Sequence, residues 1–141
     1  RKIMARIYND ESFFDFDAIG GWKHLKDDVD FVPPEASKLV LSLQDKDPDD
    51  SYSSVPYEKG FHLLYALERL VGTDAFLSFT RAYLAKYAYL TVTSQQFKNF
   101  FYEFFEKYTD TVILCSTASL VGFDWDEWLY GTGMPPCGLP N

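Results

Sequence analysis

The stretch SSVPYEKGFHLLYALERLVG, Ser53 to Gly72, contains one helix with both of its boundary signals. A hydroxyl at Ser53 or Ser54 can cap the free amides at its start. Pro56 falls in the first turn, where its missing N–H costs nothing. Phe61, Leu64, Leu67, Leu70 and Val71 recur at intervals of three and four, the spacing of a helix with a broad apolar face. Gly72 supplies the stop. The same texture extends in both directions from here, and this stretch therefore decides the class.

Downstream, Thr73 is expected to cap a helix that buries Phe76, Phe79, Tyr83, Leu84 and Tyr87. Thr93-x-x-Gln96 forms a capping box ahead of Phe97, Phe100, Phe101, Phe104 and Phe105. Asp124 to Tyr130 reads as a short amphipathic helical turn. Upstream, Ser12 to Asp28 repeats Phe13, Phe16, Ile19, Trp22 and Leu25 at helical spacing, and Gly20-Gly21 predicts a kink or break in its middle. Arg1 to Tyr8 already reads as helix interior, through Ile3, Ile7 and Tyr8, which suggests a fragment of a longer protein. Val32-Pro33-Pro34 is an extended connector, and Ala36 to Leu43 fits a short helix or a strand equally well. Thr111 to Phe123 carries no charge and no helical period, and Gly131 to Asn141 is a Gly/Pro tail with no packing pattern. The class is all-α, without internal repeats.

At 141 residues the chain can bury a core, and 47% apolar composition excludes intrinsic disorder. Thirteen Lys+Arg against 21 Asp+Glu leave a net charge of −8, which argues against nucleic acid and anionic membranes as partners. No apolar run approaches the ~18 residues of a membrane span, so a soluble protein is expected. Two cysteines, Cys115 and Cys137, make no disulfide scaffold and suit a reducing, cytoplasmic compartment.

Metal chemistry has little support within the chain. His24 and His62 are the only histidines, with no HExxH pair, and neither cysteine has a CxxC partner. His62 follows Glu58 by four residues, which predicts an ordinary helix-surface pair. Asp45-x-Asp47-x-Asp49 begins like a calcium loop, but Asp50 replaces the turn glycine and Pro56 the bidentate glutamate. The acidic run is better read as a solvated patch before a helix N-terminus, where the macrodipole favours it. There is no GxSxG elbow and no glycine-rich phosphate loop. Tyr52 just before a helix and Tyr57 in its first turn are the remaining candidates. A neutral phenol donates a hydrogen bond at neutral pH and can stabilise a developing oxyanion.

Tyr52-Ser-Ser-Val-Pro-Tyr57-Glu-Lys-Gly60, Asp124-Trp125-x-x-Trp128-Leu129-Tyr130, Gly133-Met134-Pro135-Pro136 and Ala18-Ile19-Gly20-Gly21-Trp22 resemble the leukotriene A4 hydrolase and aminopeptidase B subfamily of the M1 zinc metallopeptidases. The similarity covers most of the chain. It implies the helical lobe of a thermolysin-like (gluzincin) catalytic domain, without the zinc-binding helix pair. Residues 1–130 would form that lobe, with an atypical uncharged insertion around 111–123, and 131–141 a linker toward a further C-terminal domain. It also implies a zinc cofactor whose ligands lie upstream of Arg1, and a peptide substrate. Tyr57 would be the catalytic residue, donating to the oxyanion of the tetrahedral intermediate. Tyr52, Asp49, Pro48, Ser51, Leu41 and Leu43 would line the substrate cleft.

The resemblance has departures. Ala36 stands where the family has an aromatic, which weakens a lipid pocket, and the 111–123 stretch is longer than its counterpart. Three readings follow from these features. The first is a zinc aminopeptidase whose isolated 141-residue segment is inactive. The second is a non-catalytic helical interaction module, a truncated paralogue. The third is a bifunctional leukotriene A4 epoxide hydrolase acting on a lipid epoxide through Asp49.

Overall fold

The computed structural model of the chain describes residues 1–10, 12–44, 47, 49, 52–109 and 122–137. Among these residues the architecture is all-α, with no strand, as the periodicity predicts. In chain order come α1 (Lys2–Tyr8), α2 (Ser12–Phe31), a 3-10 turn (Pro34–Ser37), α3 (Val55–Val71), α4 (Thr73–Lys86), α5 (Ser94–Thr109) and α6 (Trp125–Tyr130). The uncharged stretch, as far as residue 121, lies outside the described residues. Two compact units result: Arg1–Leu63 with Trp125–Asn141, and Leu64–Asp124.

In the first unit α1 packs on α2. Asn9 ends α1 in the left-handed region at φ 50, a conformation that asparagine tolerates better than most residues. Asp10 Oδ1 then accepts from the Ser12 amide at 3.0 Å and the Ser12 hydroxyl at 2.6 Å, starting α2.

Two expectations for α2 need correction. The helix runs unbroken through Gly20-Gly21. Gly21 is buried, and a Cβ there would run into the Glu58 carboxylate and the Arg1 guanidinium, so the glycine permits a close approach rather than a break. The buried face is Phe14, Ala18, Gly21 and Leu25, whereas Phe16 and Ile19 are exposed. At 3.6 residues per turn a row spaced strictly by three drifts about 60° with each step, so it cannot remain on one face.

The open segment after Pro33 resolves as the 3-10 turn followed by irregular backbone. There the Val40 amide donates to the Leu129 carbonyl at the end of α6, 2.9 Å away. Trp125, Trp128 and Leu129 of α6 are all buried.

The second unit is built on aromatics. Phe79 of α4 is buried, with the rings of Phe97, Phe100, Phe101, Phe104 and Phe105 from α5 at centroid distances of 5.2–5.8 Å. Leu84 is exposed, unlike its expected place in this face. The α5 capping box is present in both halves: the Gln96 amide donates to Thr93 Oγ1 at 3.2 Å, and the Thr93 amide to Gln96 Oε1 at 2.9 Å. At α4 the cap position is Gly72, at φ 87, and not Thr73. Thr73 is the first helical residue, and its hydroxyl donates instead to Glu68 Oε1 at 2.7 Å.

Candidate functional site

The N-terminal turn of α3 is where the sequence places its chemistry, and the structure shows how that turn is held. The Ser54 amide donates to Asp28 Oδ2 at 2.8 Å, and the Val55 amide to Ser53 Oγ at 3.3 Å. The Tyr57 and Glu58 amides both donate to the Ser54 carbonyl at 3.0 Å. Pro56 has no amide hydrogen to offer. Every amide of the turn is therefore engaged within the chain, which leaves side-chain hydroxyls, not helix amides, as donors to a ligand.

Tyr57 sits in that turn with 66% of its surface exposed, and Tyr52, just before it, with 81%. Both phenols are open to solvent. The Tyr52 amide donates to the Asp49 carbonyl at 3.3 Å, and the Asp49 amide to Asp47 Oδ1 at 3.0 Å, so Asp49 and Tyr52, both exposed, are linked through the backbone. Leu41 is half-buried and Leu43 exposed on the segment that follows the 3-10 turn. Pro48 and Ser51 lie outside the described residues. An open recess of about 270 Å³ is lined by Arg1, Phe16, Asp17, Gly21 and Glu58 among others, and by none of these predicted residues.

Glu58 and His62 do not form the surface pair that their spacing suggests. Arg1 takes the carboxylate instead, with Nη2 2.5 Å from Glu58 Oε2 and Nε 2.6 Å from Asp17 Oδ2, while its guanidinium lies 4.1 Å from the centroid of the Phe61 ring. His62 is fully buried, edge-on to Trp22 at 4.8 Å and to Phe61 at 5.0 Å, with neither ring nitrogen hydrogen-bonded. Burial, assisted by the Arg1 charge and opposed by Glu58, lowers its pKa to about 4.

The residue that sequence reasoning missed is Lys59, which is 1% exposed. Its Nζ donates to the carbonyls of Ser37 at 3.0 Å, Gly131 at 2.7 Å and Gly133 at 3.0 Å, using all three ammonium donors. Burial lowers its pKa, and the Glu127 carboxylate opposes that shift. The signal was present: Val55, Lys59, Leu63 and Leu67 recur every four residues, so a face traced from Val55 includes the lysine.

Residues 22–121 match the Peptidase family M1 domain. The chain belongs to peptidase family M1. Among its M1 relatives, the leucine aminopeptidase 2 of Ajellomyces capsulatus (strain NAm1 / WU24) is 42% identical over 96% of this chain and 21% of its own length. That of Sclerotinia sclerotiorum is 42% identical over 96% of this chain and 22% of its own. That of Coccidioides immitis (strain RS) is 41% identical over 96% and 21%. The chain thus spans about a fifth of the length of these relatives.

The all-helical architecture fits the helical part of an M1 peptidase domain. Among the described residues no three His, Cys, Asp or Glu side chains cluster as a metal site. Among them, too, no helix is long and apolar enough to cross a membrane.

Proposed function

We propose that the protein carrying this chain is a cytoplasmic aminopeptidase that removes N-terminal residues, leucine among them, from peptides. In this reading the chain supplies one wall of the cleft and the donor for the oxyanion. The observation that carries the reading is the M1 match over residues 22–121, joined to the leucine aminopeptidase names of relatives about 40% identical to it. The YSSVPYEKG string, Tyr52 to Gly60, favours the leukotriene A4 hydrolase and aminopeptidase B branch of the family.

Tyr57 is the catalytic residue of this reading. Its phenol is exposed, so a substrate carbonyl can reach it, while the amides around it are already engaged. As the carbonyl oxygen gains charge on the way to the tetrahedral intermediate, the phenol donates a hydrogen bond that strengthens with that charge. A donor of this kind contributes on the order of 3 kcal/mol to lowering the barrier. Tyr52 and Asp49 form the adjoining wall, with Leu41, Leu43, Pro48 and Ser51 along the channel. Zinc is assigned to ligands outside this chain, and no step here runs through it.

The test is hydrolysis of leucyl p-nitroanilide by the full-length protein, with the N-acetylated anilide as the blocked control. Release from the free-amine substrate alone is the expected result. No turnover of either would favour the non-catalytic helical module instead.

A further inference from the structure

Lys59 and Tyr57 are two residues apart on α3, which separates them by about 200° around the helix. The phenol faces solvent and the ammonium faces inward. A buried lysine is a costly way to fill space, because an apolar side chain of similar volume carries no desolvation penalty. What an apolar chain cannot do is gather acceptors, and this ammonium gathers three from distant parts of the sequence.

The acceptors are themselves built for the purpose. Gly131 cannot carry a Cβ, because it would collide with the Glu127 carbonyl, and Gly133 sits at φ 80. Two glycines therefore shape the turn that aims two carbonyls at one Nζ. Ser37 completes the knot: its carbonyl takes the third ammonium hydrogen, its hydroxyl accepts from the Gly133 amide at 2.7 Å, and the same hydroxyl donates to the Pro34 carbonyl at 2.6 Å. Ser37 also begins the segment that carries Leu41 and Leu43. One side chain thus ties the start of that segment and the turn after α6 to the inner face of the helix that displays Tyr57.

We propose that Lys59 is a positioning residue for Tyr57, fixing the first turns of α3 from behind so that the phenol holds its place at the substrate carbonyl. The proposal rests on the reading of Tyr57 given above. Catalytic donors need placement to within ~0.5 Å, and a misplacement of ~1 Å can cost ~100-fold in rate.

The experiment is a double-mutant cycle in the full-length protein, read as kcat and KM on leucyl p-nitroanilide. Lys59→Met is expected to lower kcat by at least ~10-fold with KM changed less than ~3-fold. In the Tyr57→Phe background the same substitution is expected to have almost no further effect on kcat. An equal loss in both backgrounds, or an unaltered kcat in folded Lys59→Met, overturns the proposal and leaves Tyr57 standing. An unaltered kcat in Tyr57→Phe alone overturns the reading of Tyr57, and the proposal with it. Should Lys59→Met not fold, Ser37→Ala loosens the same turn while leaving Lys59 in place. It is expected to show a smaller kcat loss that also vanishes in the Tyr57→Phe background, and an equal loss in both overturns the proposal.

Discussion

The two units bury different chemistry. The second packs Phe79 among five phenylalanines of α5, and Glu68, the one polar residue buried there among the described residues, accepts from the neighbouring Thr73 hydroxyl. The first buries Lys59, His62 and Ser37 among its apolar residues, and places the Arg1, Asp17 and Glu58 ion pairs close by. Apolar packing is non-directional and needs only volume and pattern. Buried polar groups are directional and demand particular partners. The polar unit is also the one that carries Tyr52 and Tyr57, consistent with a part of the molecule whose geometry has to be specified more tightly than its stability alone requires.

The largest effect expected from this contrast lies in the aromatic unit. Phe79→Ala should destabilise it by about 3–5 kcal/mol in urea denaturation, the cost of emptying a filled phenylalanine site. A loss under about 1 kcal/mol would mean that the aromatic cluster is not the unit's core.

The polar unit should respond to pH instead. His62 has a folded pKa of about 4 against the ordinary 6.5, so between these values the unfolded chain binds more protons. The contribution of His62 to stability should be full above pH 6.5, fall by roughly 3 kcal/mol as pH drops to about 4, and level off below. His62→Leu should remove most of that slope. A slope that survives the substitution would place the titration elsewhere.

Smaller and more local is the contrast between two adjacent glycines. Gly21→Ala should range from neutral to a cost of about 1 kcal/mol, because the Glu58 and Arg1 side-chain ends must shift to admit the methyl group and this offsets the helix gain. Gly20→Ala, with nothing within 4 Å of the new atom, should stabilise by about 0.4–1 kcal/mol. Equal effects at both positions would contradict the close approach assigned to Gly21. A similarly small effect is expected at the α5 cap, where Thr93→Ala should cost about 1 kcal/mol. A neutral result there would show that the capping box adds nothing to the aromatic packing.

The same contrast explains what could be read from sequence. The α5 capping box and the phenylalanine row behind it were legible, because both are local patterns written in consecutive residues. The inner face of α3 was not. Lys59 and His62 look like surface residues on any hydrophobicity scale, and only their register with Val55, Leu63 and Leu67 places them inside. Gly21 read as a helix breaker, since the side chains that crowd it come from Arg1 and Glu58, distant in sequence. Tyr52 and Tyr57 stand before and within the first turn of α3, as the sequence predicts, but their roles rest on family resemblance. The tail from Gly131 looked featureless because its function in packing is carried by backbone carbonyls, which a sequence does not display.

The most direct test of the account is Tyr57→Phe in the full-length protein, assayed by steady-state kinetics on leucyl p-nitroanilide. The substitution keeps the ring and removes only the hydroxyl. The expected result is a fall in kcat of ~10²–10³ with KM changed only a few-fold. An unchanged kcat would contradict the account, and would remove this helix turn from the chemistry.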